Sequence, residues 1–209
     1  MSKYLYVLDF GHGGTDPGTG DYTTPGKRSP KREDESVLYE GVENREKGKY
    51  ITKEMSNADL DYAIVSHEWK DNSLVDRVSK ANKLNRTRKT VYISIHSDAF
   101  GNGDTWTSPS GISVYTSKGQ TRSDLFANVI IRELENELQN TVKWRFDTSD
   151  GDKDKEAHFY VLRKTNSPAV LLELGFHTNR VEADRMQTVA WKEMVARVIV
   201  DACLEWEKM

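Results

Sequence analysis

A single cysteine, Cys203, is present in 209 residues, so the chain cannot close an internal disulfide. Its place among Val198, Ile199, Ala202 and Leu204 reads as the core face of a helix. Long hydrophobic runs are missing too. None approaches the roughly 18 residues of a membrane-crossing helix, and mean hydropathy is −0.72. Neither sign of charge dominates, with 30 Lys and Arg against 33 Asp and Glu, so nothing in the overall balance argues for nucleic acid as a partner. The N-terminus, Met-Ser-Lys before a short strand-like run, lacks the basic, apolar and small-residue series of a secretory signal, and the expectation is synthesis in the cytoplasm. Internal repeats and linker-like segments are also absent, which predicts one domain over residues 1–209.

What is present is an alternation. Strand-like segments near 3–9, 61–66, 90–95, 111–116, 158–162 and 168–173 are interspersed with helical spacing or composition at 41–57, 73–86, 121–140 and 187–207. The pattern predicts an α/β domain with a twisted, mostly parallel mixed sheet of about six strands, covered by helices on both faces. Two stretches break the rhythm: "GDYTTPGKRSPKREDESV" at 20–37 and "DTSDGDKDKEA" at 147–157, both predicted as surface loops. The second has the acidic alternation of a calcium loop but not the EF-hand order, because Asp150, Asp152 and Asp154 are followed by Lys155 where glycine is required. It is expected to be a solvated connection.

The chemistry-bearing residues sit where strands end. In "VLDFGHGGTDPGTG" an apolar run passes through Asp9 and stops on His12, wrapped in glycines. Neither a dinucleotide fingerprint nor a P-loop can be read from those glycines, which leaves a metal site or a tight turn. "VYISIHSDAFGN" repeats the theme with His96, Ser97 and Asp98, and "PAVLLELGFHTN" places Glu173 inside an apolar strand. Ligands of α/β sheets gather at the carboxyl ends of strands, and a buried carboxylate needs a partner or a cation. Two imidazoles with carboxylates are the donor set of a zinc centre that keeps one position open. The acid-rich "EDESVLYEGVEN" supplies the third ligand as Glu40 or Glu43, and spacing alone leaves both open. His67 in "SHEWKD" forms an H-x-E, but a zinc deaminase also needs P-C-x-x-C, which one cysteine cannot provide.

Taken in order, "VLDFGHGGTDPGTG", "YEGVENR", "DRVSKANKL", "YISIHSDAFGN", "GISVYTS" and "YVLRKTNSPAVLLELGFHTN" resemble the zinc-dependent N-acetylmuramoyl-L-alanine amidases of the type 3 family, which includes cell-separation amidases and phage endolysins. The resemblance covers nearly the whole chain. It implies one Zn²⁺ held by His12, Glu40 and His96, with Glu40 preferred because Asn44 stands four residues on, and Glu173 as the catalytic carboxylate. It also implies peptidoglycan as the substrate, cut between the lactyl group of N-acetylmuramic acid and L-alanine. An endolysin of this kind is made in the host cytoplasm and acts on the wall after release. No appended wall-binding domain is recognisable, and oligomeric state is not readable.

Around that centre, Arg163 and His177, with His158, are candidates to line the cleft and bind substrate, while Asp9 and Asp98 are candidates to orient imidazole protons. Trp106, Trp144 and Tyr160 are candidates to stack on sugar or peptide. The stretch from Thr23 to Val37, an insertion relative to the family pattern, is the expected place for a regulatory element. Two alternatives share these observations: a zinc hydrolase of another amide or peptide, and a non-catalytic peptidoglycan-binding module.

Overall fold

The computed structural model describes residues 1–139 and 141–209. Along them the chain forms β1 (Leu5–Phe10), α1 (Glu40–Asn57), β2 (Tyr62–Ile64), α2 (Leu74–Asn85), β3 (Thr90–Asp98), β4 (Ile112–Thr116), α3 (Arg122–Leu138), β5 (Lys155–Glu156), α4 (Tyr160–Lys164), β6 (Ala169–Phe176), α5 (Arg180–Met186) and α6 (Val189–Trp206). The strands make one sheet in the order β2-β1-β3-β6-β4-β5. Neighbours are parallel except β4 and β6, which run antiparallel, so the sheet is mixed and mostly parallel as expected.

The central strands are apolar on both sides because both sides are covered. On one face Tyr6, Leu8, Ile93, Ile95, Val170 and Leu172 pack with Ile51 and Met55 of α1, Phe126 and Ile130 of α3, and Val195 and Ile199 of α6. On the other, Val7, Tyr92, Ala169 and Leu171 meet a smaller set: Val65 after β2, Val78 and Ala81 of α2, and Val161 and Leu162 of α4, with Leu84, Tyr115 and Tyr160 at the margin. Successive strand residues point to opposite faces. Register pairs Asp9 with Ser94 and His96 with Glu173, and parity puts all four on this second, thinly covered face. Among the described residues no helix is long and apolar enough to cross a membrane.

Three expectations change. Residues 158–162, read as a strand, hold instead the start of α4, and the sheet edge is the two-residue β5. The Arg163 amide donates to the Phe159 carbonyl at 3.1 Å, the bond of a helical turn, and that turn buries Val161 and Leu162 together against α2 while Phe159 and Arg163 stay exposed. The helix expected over 187–207 begins at Val189, after Thr188 accepts a hydrogen bond from the Trp191 amide, and the preceding α5 was not expected. The helix expected over 121–140 ends at Leu138, and Asn140 lies outside the described residues.

The thin face carries a buried charge. Asp9, 1% exposed, accepts from the Arg77 guanidinium, from Tyr92 Oη at 2.7 Å and from Ser94 Oγ at 2.9 Å. Arg77, contributed by α2, is 2% exposed and also donates to the carbonyls of Phe10 at 2.9 Å and His12 at 3.0 Å. Removing one member leaves the other's buried charge without its counter-ion. Arg77→Met is therefore expected to lower stability by about 3–5 kcal/mol, read from urea unfolding. The paired change Asp9→Asn with Arg77→Met should cost less than Arg77→Met alone.

Candidate metal centre

His12 follows β1 in a left-handed backbone conformation, φ 62°, that few side chains adopt. Its carbonyl is held from two sides, by Arg77 and by Arg45 Nη2 at 2.8 Å. Arg45, in the second turn of α1, also donates to the carbonyls of Gly41 and His67, so it ties the His12 turn to the helix that carries Glu40. His96 leaves β3 one strand away. Its ring lies where a side chain on Gly11 would be, since a Cβ there would fall 2.1 Å from His96 Cε1. A Cβ on Gly41 would meet the Gly13 carbonyl oxygen at 1.8 Å, so α1 starts directly against the glycine turn.

Glu40 is the first residue of α1 and is 1% exposed. Its two carboxylate oxygens are divided between the imidazoles: Oε2 stands 3.2 Å from His12 Nε2 and Oε1 stands 3.1 Å from His96 Nδ1. The rings meet edge to face at 88° with centroids 5.1 Å apart. One donor atom from each of the three lies within 4.8 Å of the others, a spacing that could hold an ion. Burial works to raise the Glu40 carboxyl, but hydrogen bonds and charge from His12 and His96 hold it well below the usual carboxylate range. Burial likewise works against a charged His96, and Glu40 reverses that, raising it. The helix N-terminus adds favourable potential for the carboxylate. Glu43, the alternative ligand, lies elsewhere, 3.5 Å from Lys192 Nζ and 4.0 Å from Lys47 Nζ.

Glu173 stands level with His96 on β6, and its Oε2 is buried with no hydrogen-bond partner. Burial, more than the opposing pull of His96, pushes its carboxyl up to about 8, helped by the nearby charges of Glu40 and Asp98. His12, Glu40, His96 and Glu173 share a cleft of about 520 Å³ whose far wall includes Phe159 and Tyr160. Two imidazoles and a carboxylate suit zinc, and an unpartnered carboxylate oxygen beside them suits a water or a polar substrate atom.

The other sequence candidates divide. His177 lines the cleft, buried, its ring Nδ1 3.1 Å from the Ser97 carbonyl, and burial lowers its proton affinity. Asp98 also lines it, but its Oδ1 accepts from the amide of Ala99 and not from an imidazole. Asp9 lines the cleft floor and is turned to Arg77, Tyr92 and Ser94, so it orients neither histidine directly. Arg163 and His158 are exposed outside the cleft lining. Tyr160 lines the cleft, while Trp106 packs between Arg32 and Arg180, and Trp144 stacks on Phe146.

Sequence reading missed Arg45, Arg77 and the work of the loop at 20–37. No side chain caps α1 at Tyr39. The loop substitutes: the Glu40 amide donates to the Lys27 carbonyl at 2.9 Å and the Gly41 amide to Tyr22 Oη at 2.9 Å. Lys27 also lines the cleft, adding a cation to that of Arg77. Nothing in a Pro- and charge-rich stretch signals such capping, because the partner amides lie in an element that follows it.

A family model described as N-acetylmuramoyl-L-alanine amidase matches residues 7–205. The chain is similar to a probable cell wall amidase, LytH, of Staphylococcus epidermidis, with 28% identity over 200 residues that cover 96% of this chain and 57% of that protein. An uncharacterized cell wall amidase of Bacillus anthracis is 28% identical over 204 residues, covering 96% of this chain and 35% of its own length. The chain thus spans little more than half of the curated relative first compared. Among solved structures, an N-acetylmuramoyl-L-alanine amidase from Clostridium difficile 630 superposes with a TM-score of 0.77 at 25% identity, covering 99% of this chain and 97% of that one. AmiC2 of Nostoc punctiforme gives 0.74 at 23% identity, with 99% and 98% covered, and supports the fold.

If the His12–Glu40–His96 group holds zinc, Gly11→Ala, by pushing the His96 ring aside, should weaken that binding by about 10- to 100-fold, the usual effect of disturbing a ligand's support, measured by competition with a chelating dye. The elevated Glu173 carboxyl has a separate consequence in metal-free protein. Its folded proton affinity, near 8, exceeds the ordinary 4.5, so the native state holds the extra proton between those values. Stability from this group is complete below about pH 4.5 and is lost as pH rises through 8. In chelator-treated protein, Glu173→Gln should therefore gain on the wild type in urea unfolding as pH rises across that window, and an unchanged difference would contradict it.

Proposed function

We propose that this chain, which belongs to the N-acetylmuramoyl-L-alanine amidase family, is a zinc-dependent hydrolase that cleaves the amide between the lactyl group of N-acetylmuramic acid and L-alanine in peptidoglycan. One observation carries the reading: an unpartnered, buried Glu173 oxygen faces the same cleft as the His12–Glu40–His96 group. A binding module has no need of that carboxylate, and leaving it unpaired is costly.

Zinc held by His12, Glu40 and His96 would acidify a water and draw electron density from the scissile carbonyl. Glu173 accepts the proton of the attacking water as oxygen adds to the lactyl carbonyl. It returns that proton to the departing amine nitrogen of L-alanine, so one carboxylate is base and then acid. A carboxyl whose proton affinity is lifted toward neutrality is suited to both roles, and a cation held by His12, Glu40 and His96 would favour the ionised form needed first. His177, kept neutral by burial and anchored on Ser97, shapes the cleft beside Glu40 without adding charge. Lys27 offers a cation to a stem-peptide carboxylate, and the Phe159–Tyr160 wall offers aromatic surface to the substrate.

Glu173→Gln should retain zinc near the wild-type content and lose about 10²- to 10⁴-fold in wall lysis, the contribution of a general base. Digestion of purified sacculi by the wild type should release peptides with a new free L-alanine amino group. New reducing sugar ends in their place would overturn the bond assignment, and undiminished lysis by Glu173→Gln would overturn the mechanism.

A further inference from the structure

The loop at 147–157 does not lie wholly in solvent. Asp154 is 1% exposed, and one of its oxygens accepts from Thr116 Oγ1 at 2.6 Å at the end of β4. Its other oxygen, Oδ1, is buried with no hydrogen-bond partner, and so is Oδ1 of Asp152. Asp124, in the first turn of α3 and 5% exposed, completes the group by taking the Thr121 amide in a capping box. One carboxylate oxygen from each of Asp124, Asp152 and Asp154 lies within 4.8 Å of the others.

Three ionised carboxylates at this spacing repel, and either a proton held between Asp152 and Asp154 or a cation joining all three relieves the repulsion. Among the described residues no lysine or arginine does so. Lys153 reaches Glu135 at 2.7 Å and 2.8 Å, and Lys155 lies over the Tyr115 ring at 5.5 Å. Burial, then the charge of Asp152 and a hydrogen bond with it, and last the charge of Asp124, lift the Asp154 carboxyl to about 7 despite the Thr116 hydrogen bond. The site is separate from the metal centre. His96 and Glu173 are level with Ser113, whereas Thr116 is three residues further along β4 and beyond the Tyr115–Leu171 pair.

We infer that Asp124, Asp152 and Asp154 form a calcium-binding site that joins the acidic loop to the start of α3 and the end of β4. The donors are all hard oxygens, with neither nitrogen nor sulfur, which disfavours zinc. An irregular loop supplies two of them, which fits the variable coordination of Ca²⁺ better than the strict octahedron of Mg²⁺, an ion that usually takes one or two carboxylates and keeps its waters. The sequence hides the site because its third carboxylate comes from a helix that precedes the loop, so no contiguous calcium motif exists. Past β5 the chain enters Phe159 and Tyr160 of the cleft wall, so the ion braces the segment that carries them.

The test uses zinc-saturated protein in calcium-free buffer, so that loss of the zinc centre and loss of this site are read separately. CaCl₂ and, in parallel, MgCl₂ are titrated by calorimetry and by thermal unfolding. One Ca²⁺ per chain should bind at least about tenfold more tightly than Mg²⁺, with a Tm that rises along the same isotherm. The Asp152→Asn, Asp154→Asn double variant should keep its zinc, unfold without calcium at or above the wild-type Tm because repulsion is relieved, and respond to CaCl₂ no further. Absence of calcium heat and of a Tm shift in the wild type at millimolar CaCl₂ would overturn the site, as would a double variant that responds like the wild type. Should the variant not fold, hydrogen exchange of the wild type decides. Slowing on CaCl₂ addition at 116–124 and 150–157 supports the site, and unchanged exchange there overturns it.

Discussion

Two guanidinium groups converge on one backbone carbonyl, that of His12, and the geometry of the centre depends on them. The left-handed conformation of His12 is costly for a residue with a side chain and persists only when its surroundings over-determine it. Arg77 supplies part of that constraint through Nη2, while its Nη1 donates to both the Asp9 carboxylate and the Phe10 carbonyl. Arg45 supplies the rest from α1, with further bonds to Gly41 and His67. A buried ion pair of this kind adds little net stability. Here it is better understood as fixing the direction in which the chain leaves β1, and so where the imidazole of His12 points.

The two faces of the sheet divide the labour. One is covered by α1, α3 and α6 and contains most of the apolar core. The other is covered by α2 and the five-residue α4, and it is there that Asp9, Ser94, His96 and Glu173 fall by strand parity. Within a single cleft the two glutamates are pushed in opposite directions, Glu40 down by its histidines and Glu173 up by burial. In the proposed mechanism that separation would let Glu40 remain an anion beside a cation while Glu173 exchanges a proton.

Much of this was legible in sequence because burial on two faces leaves near-continuous apolar runs, and a histidine or glutamate at the end of such a run stands out. His12, His96 and Glu173 were found that way. Residues 158–162 were misread because Phe159, Tyr160 and Val161 favour strands in general, whereas packing against α2 and β6 makes this segment a helical turn. Asp9 was read as an orienter of imidazole because it lies three residues from His12; strand parity turns it to Ser94 and Tyr92 instead. Arg163 was placed near the cleft by its position after a supposed strand, and with that strand a helix it faces solvent.

Sequence by itself determined the alternating class of the fold, the strand ends that deliver two histidines and a glutamate, and the family pattern that joins them, because these are set by local residue type and order. Residue spacing left Glu40 and Glu43 open and the family pattern favoured Glu40; the tertiary structure adds the geometric reason, since both occupy the first turn of α1 and the rotation of that helix against the glycine turn carries Glu40 between His12 and His96 and Glu43 toward Lys47 and Lys192. Tertiary structure alone decided that an acidic loop read as solvated buries Asp154 beside Asp124, because proximity between residues 30 positions apart is a property of the folded chain and leaves no local signal.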